Sequence, residues 1–191
     1  MRVSGAALAA AVMAAAPSVV SAGGTLGFAL GNKMPSGVCK TQADFEADFV
    51  AIAANSAAKV VRIYAAADCD TAKNILPAAK NKGFQVVLGI WPDTDDSYTK
   101  DKAAVVTYAP QFPAQVYAVT VGSESLYRGN FTGDQLLAKI KDVKSALPTV
   151  KVGTADSWNK YQDGTADPII KGGVDILYVV LNLDRNLFAC C

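Results

Sequence analysis

The stretch FQVVLGIW at residues 84–91 is the part of the sequence that decides the fold. It is almost continuously apolar, as expected of a strand that is buried on both faces of a parallel sheet. Five other short apolar segments share this character and are separated by polar or amphipathic stretches, at 25–31, 60–66, 116–122, 150–155 and 174–181. The recurrence predicts six strands of an α/β protein with a parallel sheet.

The first stretch between strands, residues 42–57, predicts a helix. Phe45 and Phe49 are four residues apart, and further apolar residues continue the same helical face. Thr41 and Asp44 stand where a capping pair would start this helix. The stretch therefore predicts an amphipathic helix that packs on the sheet.

Three more helices are predicted, at residues 70–82, 100–109 and 133–147. The last is the clearest, because Thr132 and Gln135 can form a capping box in front of its apolar stripe. The first contains Pro77, which argues for a broken or late start. Strands and helices that alternate with short connections predict right-handed βαβ units. Six such units fit either an open doubly wound sheet or most of a (β/α)₈ barrel.

The composition of the 191 residues excludes several classes of function. The chain has no histidine, which removes histidine-based catalytic triads and histidine-containing metal sites. The cysteine spacing does not match a metal site, and no glycine-rich segment has the spacing of a nucleotide-binding loop. The formal net charge of +1 gives no electrostatic attraction to nucleic acid or anionic membranes. We therefore expect no metal, no cofactor and no nucleic-acid partner.

Residues 1–22 have the organisation of a signal peptide. Arg2 supplies the positive charge, residues 6–16 form an apolar run too short to span a bilayer, and Ala22 ends a small-residue cleavage motif. No later segment reaches the roughly 18 apolar residues that a membrane helix needs. We expect an exported protein without a membrane span, whose mature part is one domain over residues 23–191.

The four cysteines allow three disulfide pairings, among Cys39, Cys69, Cys190 and Cys191. Export makes disulfide formation favourable. Cys39 and Cys69 each follow a predicted strand by a few residues, so their loops can meet. The adjacent Cys190 and Cys191 would form a strained bridge with each other. We predict a disulfide between Cys39 and Cys69, and the role of the other two cysteines stays open.

Both candidate folds bind ligands at the carboxyl ends of their strands. The residues at these ends are rich in aromatic and acidic side chains: Tyr64, Trp91, Asp93, Ser123, Glu124, Tyr127, Asp156 and Trp158. Glu124 directly follows a buried strand, so it is a candidate catalytic residue or a partner of Arg62 or Arg128 in a structural ion pair. The other glutamate, Glu46, lies on the first predicted helix and is interpreted as a solvated surface charge.

The stretch VTVGSESLYRG at residues 119–129 resembles the motif of the fungal branch of glycoside hydrolase family 17, in which the glutamate after VGS is the proton donor. Further segments resemble the family in the same order: GFALGNK at 27–33, GVCK at 37–40, VVRIYAAADCD at 60–70, LPAAKNKGFQVVLGIWPD at 76–93 and VGTADSWNKYQDGTADPIIKGGVD at 152–175. The resemblance implies a (β/α)₈ barrel, secretion to the cell wall, and hydrolysis or transfer of β-1,3-glucan with retention of configuration. It assigns the role of proton donor to Glu124 and favours the barrel over the open sheet.

The resemblance also implies contacts with a sugar. Tyr64, Trp91, Tyr127 and Trp158 would offer apolar faces to glucose rings. Ser123 occupies the place of an asparagine that contacts the 2-hydroxyl group in many barrel glycosidases. Asn130 begins the sequon Asn-Phe-Thr, which is a candidate glycosylation site in a secreted protein.

The resemblance ends near residue 180, and residues 181–191 (LNLDRNLFACC) diverge from the family. The sequence contains no segments for the seventh and eighth strands. It also contains no motif like ETGWP, whose glutamate follows the seventh strand and serves as the nucleophile in the family. We therefore expect an incomplete barrel of about six βα units with Glu124 but no nucleophile. The alternative to a glucan hydrolase or glucanosyltransferase is an inactive glucan-binding or wall-associated fragment.

Overall fold

The computed structural model describes residues 27–180 of the chain. The strands are Gly27–Ala29 (β1), Val60–Arg62 (β2), Gln85–Ile90 (β3), Val116–Ser123 (β4), Val152–Ser157 (β5) and Ile176–Val180 (β6). The helices are Gln42–Asn55 (α1), Thr71–Lys82 (α2), Asp95–Tyr108 (α3), Gly133–Ala146 (α4), Trp158–Gln162 (α5) and Asp167–Lys171 (α6). The predicted signal peptide at residues 1–22 and the divergent tail at 181–191, with Cys190 and Cys191, lie outside the described residues.

All six strands form one parallel sheet in the order β1-β2-β3-β4-β5-β6. A doubly wound sheet reverses its strand order at a switch point, whereas here every strand lies next to its predecessor in sequence. This strictly sequential order, with a helix after each of the first five strands, is that of a (β/α)₈ barrel. The predicted fold is therefore confirmed as a curled, partial TIM barrel of six strands.

The core lies between the sheet and the helices that cover it. Leu88 of β3, Ile75 of α2 and Leu136 of α4 are completely buried. Phe49 of α1 stacks on Phe84, the residue before β3, with ring centroids 4.6 Å apart. Burial of each such side chain contributes about 1.5–3 kcal/mol, so this layer fixes the strands whose ends carry the candidate site.

The helix starts follow the capping signals in the sequence. Thr41 and Asp44 form the predicted capping box of α1, and Thr132 and Gln135 form that of α4. Helix α3 begins at Asp95, five residues before its predicted start, because Thr94 is capped reciprocally by the side chain of Ser97. Ser97 stands at the third helical position, where a capping box usually has Glu or Gln, so the sequence did not indicate this start.

Helix α2 corrects the prediction about Pro77. The helix is continuous from Thr71 to Lys82 with Pro77 inside it, and it ends at Gly83, whose φ is +68°. A proline removes one backbone hydrogen bond from the helix. The side chains around it, including Ile75 and Leu76, are completely buried, and their packing offsets that loss.

Helices α5 and α6 were not predicted. Each has five residues, which is too short for a helical period to be recognised in the sequence. Across residues 27–180, none of the helices combines the length and apolar character needed to cross a bilayer.

Candidate active site

Glu124 lies at the carboxyl end of β4, where the backbone departs from a regular strand. The φ angles of Gly122 and Glu124 are +86° and +54°, and the pairing register with β5 shifts between Thr120 and Ser123. A side chain at Gly122 would meet the Ser125 hydroxyl at 2.6 Å, so this position requires glycine. A left-handed conformation at a residue other than glycine costs roughly 1–3 kcal/mol and is concentrated at functional sites.

The structural ion pairs considered for Glu124 do not form among the described residues. Arg128 is paired instead with Asp93, with 3.0 Å between Nη1 and Oδ2. Arg62 is 8% exposed, and its guanidinium lies 4.8 Å above the ring of Tyr64. Burial lowers the pKa of Arg62, while the nearby Tyr64, Tyr178 and Glu124 oppose that shift. Glu124 thus has a cation in its electrostatic surroundings but, within residues 27–180, no ion pair that occupies its carboxylate.

Arg128 connects the loop after β3 to the end of β4. Its guanidinium contacts both carboxylate oxygens of Asp93 and lies 4.6 Å from the ring centroid of Trp91. The same side chain donates to the backbone carbonyl of Ser123 at 3.0 Å. Arg128 therefore holds a candidate sugar-binding aromatic next to the strand end that carries Glu124.

The structure brings two of the four candidate aromatics into contact. Tyr64 and Trp91 pack edge to face with ring centroids 6.5 Å apart, and both are half-buried. Tyr127 and Trp158 are 50% and 47% exposed, on the turn after Glu124 and at the start of α5. Such exposure is unusual for large aromatic rings and leaves their faces available to a ligand.

Two buried aspartates organise the loops at this edge of the sheet. Asp156, at the end of β5, is 0% exposed and accepts backbone N–H groups from Leu126, Tyr127 and Ser157. Asp101 of α3 is also buried and accepts from the backbone N–H groups of two loops, at residues 67 and 91. Burial raises the pKa of both carboxyl groups, and the backbone hydrogen bonds oppose that rise.

These two roles are hardly indicated by the sequence. The sequence places Asp156 at a strand end but indicates no function for it. Asp101 precedes the buried Val105 by four residues and so shares the inner face of α3. That spacing is the only signal in the sequence for its burial.

Cys39 and Cys69 form a disulfide in the structure and join the loops that follow β1 and β2. The same loops are linked by a hydrogen bond of 2.6 Å from Asn32 to Asp68. Asn130 of the sequon is exposed, and its glycosylation stays a prediction.

Glu46 remains a surface charge, as expected, but it has polar partners. Its carboxylate accepts hydrogen bonds from Gln42 and from Asn81 of α2, and it lies 3.6 Å from the Lys82 ammonium. It thus links α1 to α2. Among the described residues, no group of three or more His, Cys, Asp or Glu side chains is arranged to hold a metal ion.

The sequence profile of the BtgE/BtgC glycoside hydrolase domain matches residues 27–181. The chain belongs to this family. The assignment agrees with the resemblance to glycoside hydrolase family 17. In TIM barrels generally the active site lies at the carboxyl edge of the sheet, which is the edge where Glu124 follows β4.

Curated relatives support the assignment. The chain is 58% identical over 167 residues to a glucan 1,3-beta-glucosidase of Arthroderma benhamiae, a match that covers 87% of the chain and 54% of the relative. It is 40% identical over 166 residues to a glucan 1,3-beta-glucosidase of Saccharomyces cerevisiae, covering 81% of the chain and 52% of that protein. The chain therefore spans about half the length of the curated relatives it matches.

A solved structure shares the fold. The family 17 β-1,3-glucanosyltransferase of Rhizomucor miehei superposes with a TM-score of 0.70 at 28% identity, over 82% of this chain and 57% of that protein. An active-site mutant of the same enzyme is known in complex with laminaritriose and matches equally well.

Proposed function

We propose that this chain takes part in the processing of β-1,3-glucan and that Glu124 is its proton donor. The observation that carries the proposal is the position of Glu124 after the fourth strand of a family 17 barrel, in a strained backbone and without an ion pair among the described residues. In a retaining glycosidase this group protonates the leaving glycosidic oxygen and then activates water.

A retaining reaction needs a second carboxyl group about 5–5.5 Å from the first. Glu46, the other glutamate in the sequence, hydrogen-bonds α2 instead. The carboxylates of Asp156 and Asp93 are occupied by backbone N–H groups and by Arg128, respectively. None of these three carboxylates is therefore suited to be the nucleophile. We expect the 191-residue chain to bind glucan without turning it over, and turnover to require a polypeptide that also supplies the nucleophile.

The glucan would lie along the carboxyl edge of the sheet. Tyr127 on the turn after Glu124 and Trp158 at the start of α5 are exposed, while Tyr64 and Trp91 form one aromatic pair. Ring faces of this kind pack against the apolar faces of glucose, and hydroxyl groups such as that of Ser123 suit its polar edges. These five residues are the proposed substrate contacts.

Secretion is part of the proposal. The signal-peptide pattern at residues 1–22, the disulfide at Cys39 and the sequon at Asn130 each fit an exported protein of the cell wall. N-terminal sequencing of secreted protein should find the mature chain beginning within about two residues of Gly23. An N-terminus at Met1 would contradict the export step.

A paired binding and hydrolysis assay tests the function. Binding of laminaritriose is measured by calorimetry, and reducing ends released from a soluble β-1,3-glucan report turnover. The 191-residue chain should bind without turnover. A chain extended through a seventh strand that carries a glutamate should hydrolyse or transfer glucan.

In the extended chain, Glu124→Gln should abolish turnover and leave binding intact, because an amide has nearly the shape of a carboxyl group. Glu46→Gln is the matched control and should leave turnover unchanged. Turnover that survives Glu124→Gln would show that the proton donor is misassigned. Binding without any turnover in the extended chain would favour the alternative, a glucan-binding module.

A further inference from the structure

The backbone at Glu124 poses a physical problem that the family assignment does not address. Its φ of +54° is unfavourable for a residue with a side chain, so the surrounding structure has to hold it. On one side the Glu124 N–H donates to the carbonyl of Ala155 on β5 at 2.8 Å. On the other side the chain turns away from the sheet through residues 125–129, and the position of Glu124 depends on how this turn is fixed.

Asp156 fixes that turn from the neighbouring strand. Its Oδ2 atom accepts the N–H of Leu126 at 2.8 Å, and its Oδ1 atom accepts the N–H groups of Tyr127 at 3.1 Å and Ser157 at 2.9 Å. The carboxylate is 0% exposed, so water does not compete for these hydrogen bonds. Two of its three bonds reach the second and third residues after Glu124.

The other buried aspartate shows that this arrangement is specific. Asp101 also accepts two backbone N–H groups, but they belong to Ala67 and Trp91 on other loops. Buried carboxylates therefore fix loops at two places along this edge, and of these two aspartates Asp156 is the one that contacts the backbone of the turn after the candidate proton donor.

We infer that Asp156 is the positioning residue of Glu124, because its buried carboxylate fixes the turn that holds Glu124 in its left-handed conformation. The inference rests on the proposed function only in taking Glu124 as the proton donor. Its physical content is that the two oxygens of Asp156 are both needed. An asparagine keeps one acceptor and turns an NH₂ group toward a backbone N–H, which breaks the hydrogen bonding on that side.

The chain offers a direct readout, because Glu46 and Glu124 are its only glutamates. Selective ¹³C labelling of the glutamate carboxyl carbon should give two resonances, which Glu124→Gln and Glu46→Gln assign. In Asp156→Asn the Glu124 resonance should shift or broaden, while the Glu46 resonance stays in place. A general loss of stability would affect both resonances and not the Glu124 resonance alone.

Asp175→Asn is the matched control. Asp175 accepts the N–H of Val152 at 2.9 Å at the opposite end of β5, so the same substitution disturbs the same strand away from Glu124. Both resonances should keep their positions in this variant. A Glu124 resonance that is unchanged in Asp156→Asn, or that moves equally in Asp175→Asn, would overturn the inference.

Three further measurements separate the possible failures. If Asp156→Asn does not fold, Asp156→Glu decides the question, because it keeps both oxygens but displaces them by one methylene. The Glu124 resonance should then move, and an unchanged resonance overturns the inference.

Laminaritriose added to the labelled chain tests the proposed function separately. A Glu124 resonance that responds to Asp156→Asn but never to the sugar would sustain the positioning role and contradict the glucan site. In the extended chain, Asp156→Asn should lower kcat by a larger factor than it raises KM, whereas a lost sugar contact alone would mainly raise KM.

Discussion

The middle strands of the sheet and its two end strands differ in how they are held. Nearly every residue of β3 and β5 is buried, whereas every residue of β6 is half-exposed and Phe28 of β1 is exposed. The candidate site belongs to the middle, because Trp91, Glu124 and Asp156 lie at or just after the ends of β3, β4 and β5. A strand flanked on both sides can keep a strained residue such as Glu124 in place, so a partial barrel can retain the part of the site that carries the proposed proton donor.

The end strands are less completely buried, and a few specific contacts also hold them. Strand β1 pairs over three residues with β2, and its following loop is tied by the Cys39–Cys69 disulfide. The start of β6 is tied to β5 through Asp175, and Tyr161 donates a hydrogen bond of 3.1 Å to the carbonyl of Tyr178 within β6. Among the described residues each end strand has one neighbour. Substitutions should therefore have different effects in the two regions.

The largest difference is expected for matched leucines. Leu88 of β3 is completely buried, so Leu88→Ala should lower the free energy of unfolding by about 2–5 kcal/mol through lost burial and an unfilled cavity. Leu177 of β6 is only partly buried against the same core, and Leu177→Ala should cost about 1 kcal/mol. Urea unfolding followed by circular dichroism measures both. Equal losses would show that β6 is packed as firmly as the middle of the sheet.

The next effect concerns β1. Replacing Cys39 and Cys69 together by serine removes a crosslink between residues 30 positions apart and should cost about 2–4 kcal/mol. Backbone amides of β1 should then exchange faster with solvent, while those of β4 should be affected only through global stability. Val38→Ala, an exposed neighbour in the same loop, is the control and should change stability by less than about 0.5 kcal/mol. Unchanged exchange in β1 would mean that its pairing with β2 suffices.

The sequence predicts the strands and helix starts better than the polar contacts of the site. Continuous apolar runs such as residues 84–91 predict buried parallel strands, and threonines such as Thr132 predict helix starts, because both signals are local. Several polar contacts of the site are not local: Asp101 accepts the N–H of Ala67, 34 residues away, and Asp156 accepts that of Leu126, 30 residues away. The sequence does not reveal such partners before the loops are folded. Glu124 was found through a family motif, and no pattern of burial or spacing alone distinguished a catalytic group from an ion pair.

The smallest effect tests the tie at the start of β6 through its pH dependence. Asp175 lies 2.8 Å from the Lys144 ammonium and accepts the Val152 N–H. The lysine contact first, and the backbone N–H second, hold the pKa of Asp175 below its usual value. Because the pKa is lower in the folded chain than in the unfolded one, the group stabilises the fold fully above about pH 4 and loses this contribution as the pH falls further.

Asp175 is one-third exposed, so solvent screens the pair and Asp175→Asn should cost only about 0.5–1 kcal/mol at pH 7. The difference between the variant and the parent chain should shrink when urea unfolding is repeated toward pH 3. The buried Asp156 has the opposite sign: burial raises its pKa, so its ionisation weakens the fold as the pH rises above the unfolded value near 3.9. A cost of Asp175→Asn that stays constant from pH 7 to pH 3 would mean that its charge does not hold β6. The contrast between a middle strand fixed by burial and an end strand fixed by polar contacts would then have to rest on β1 alone.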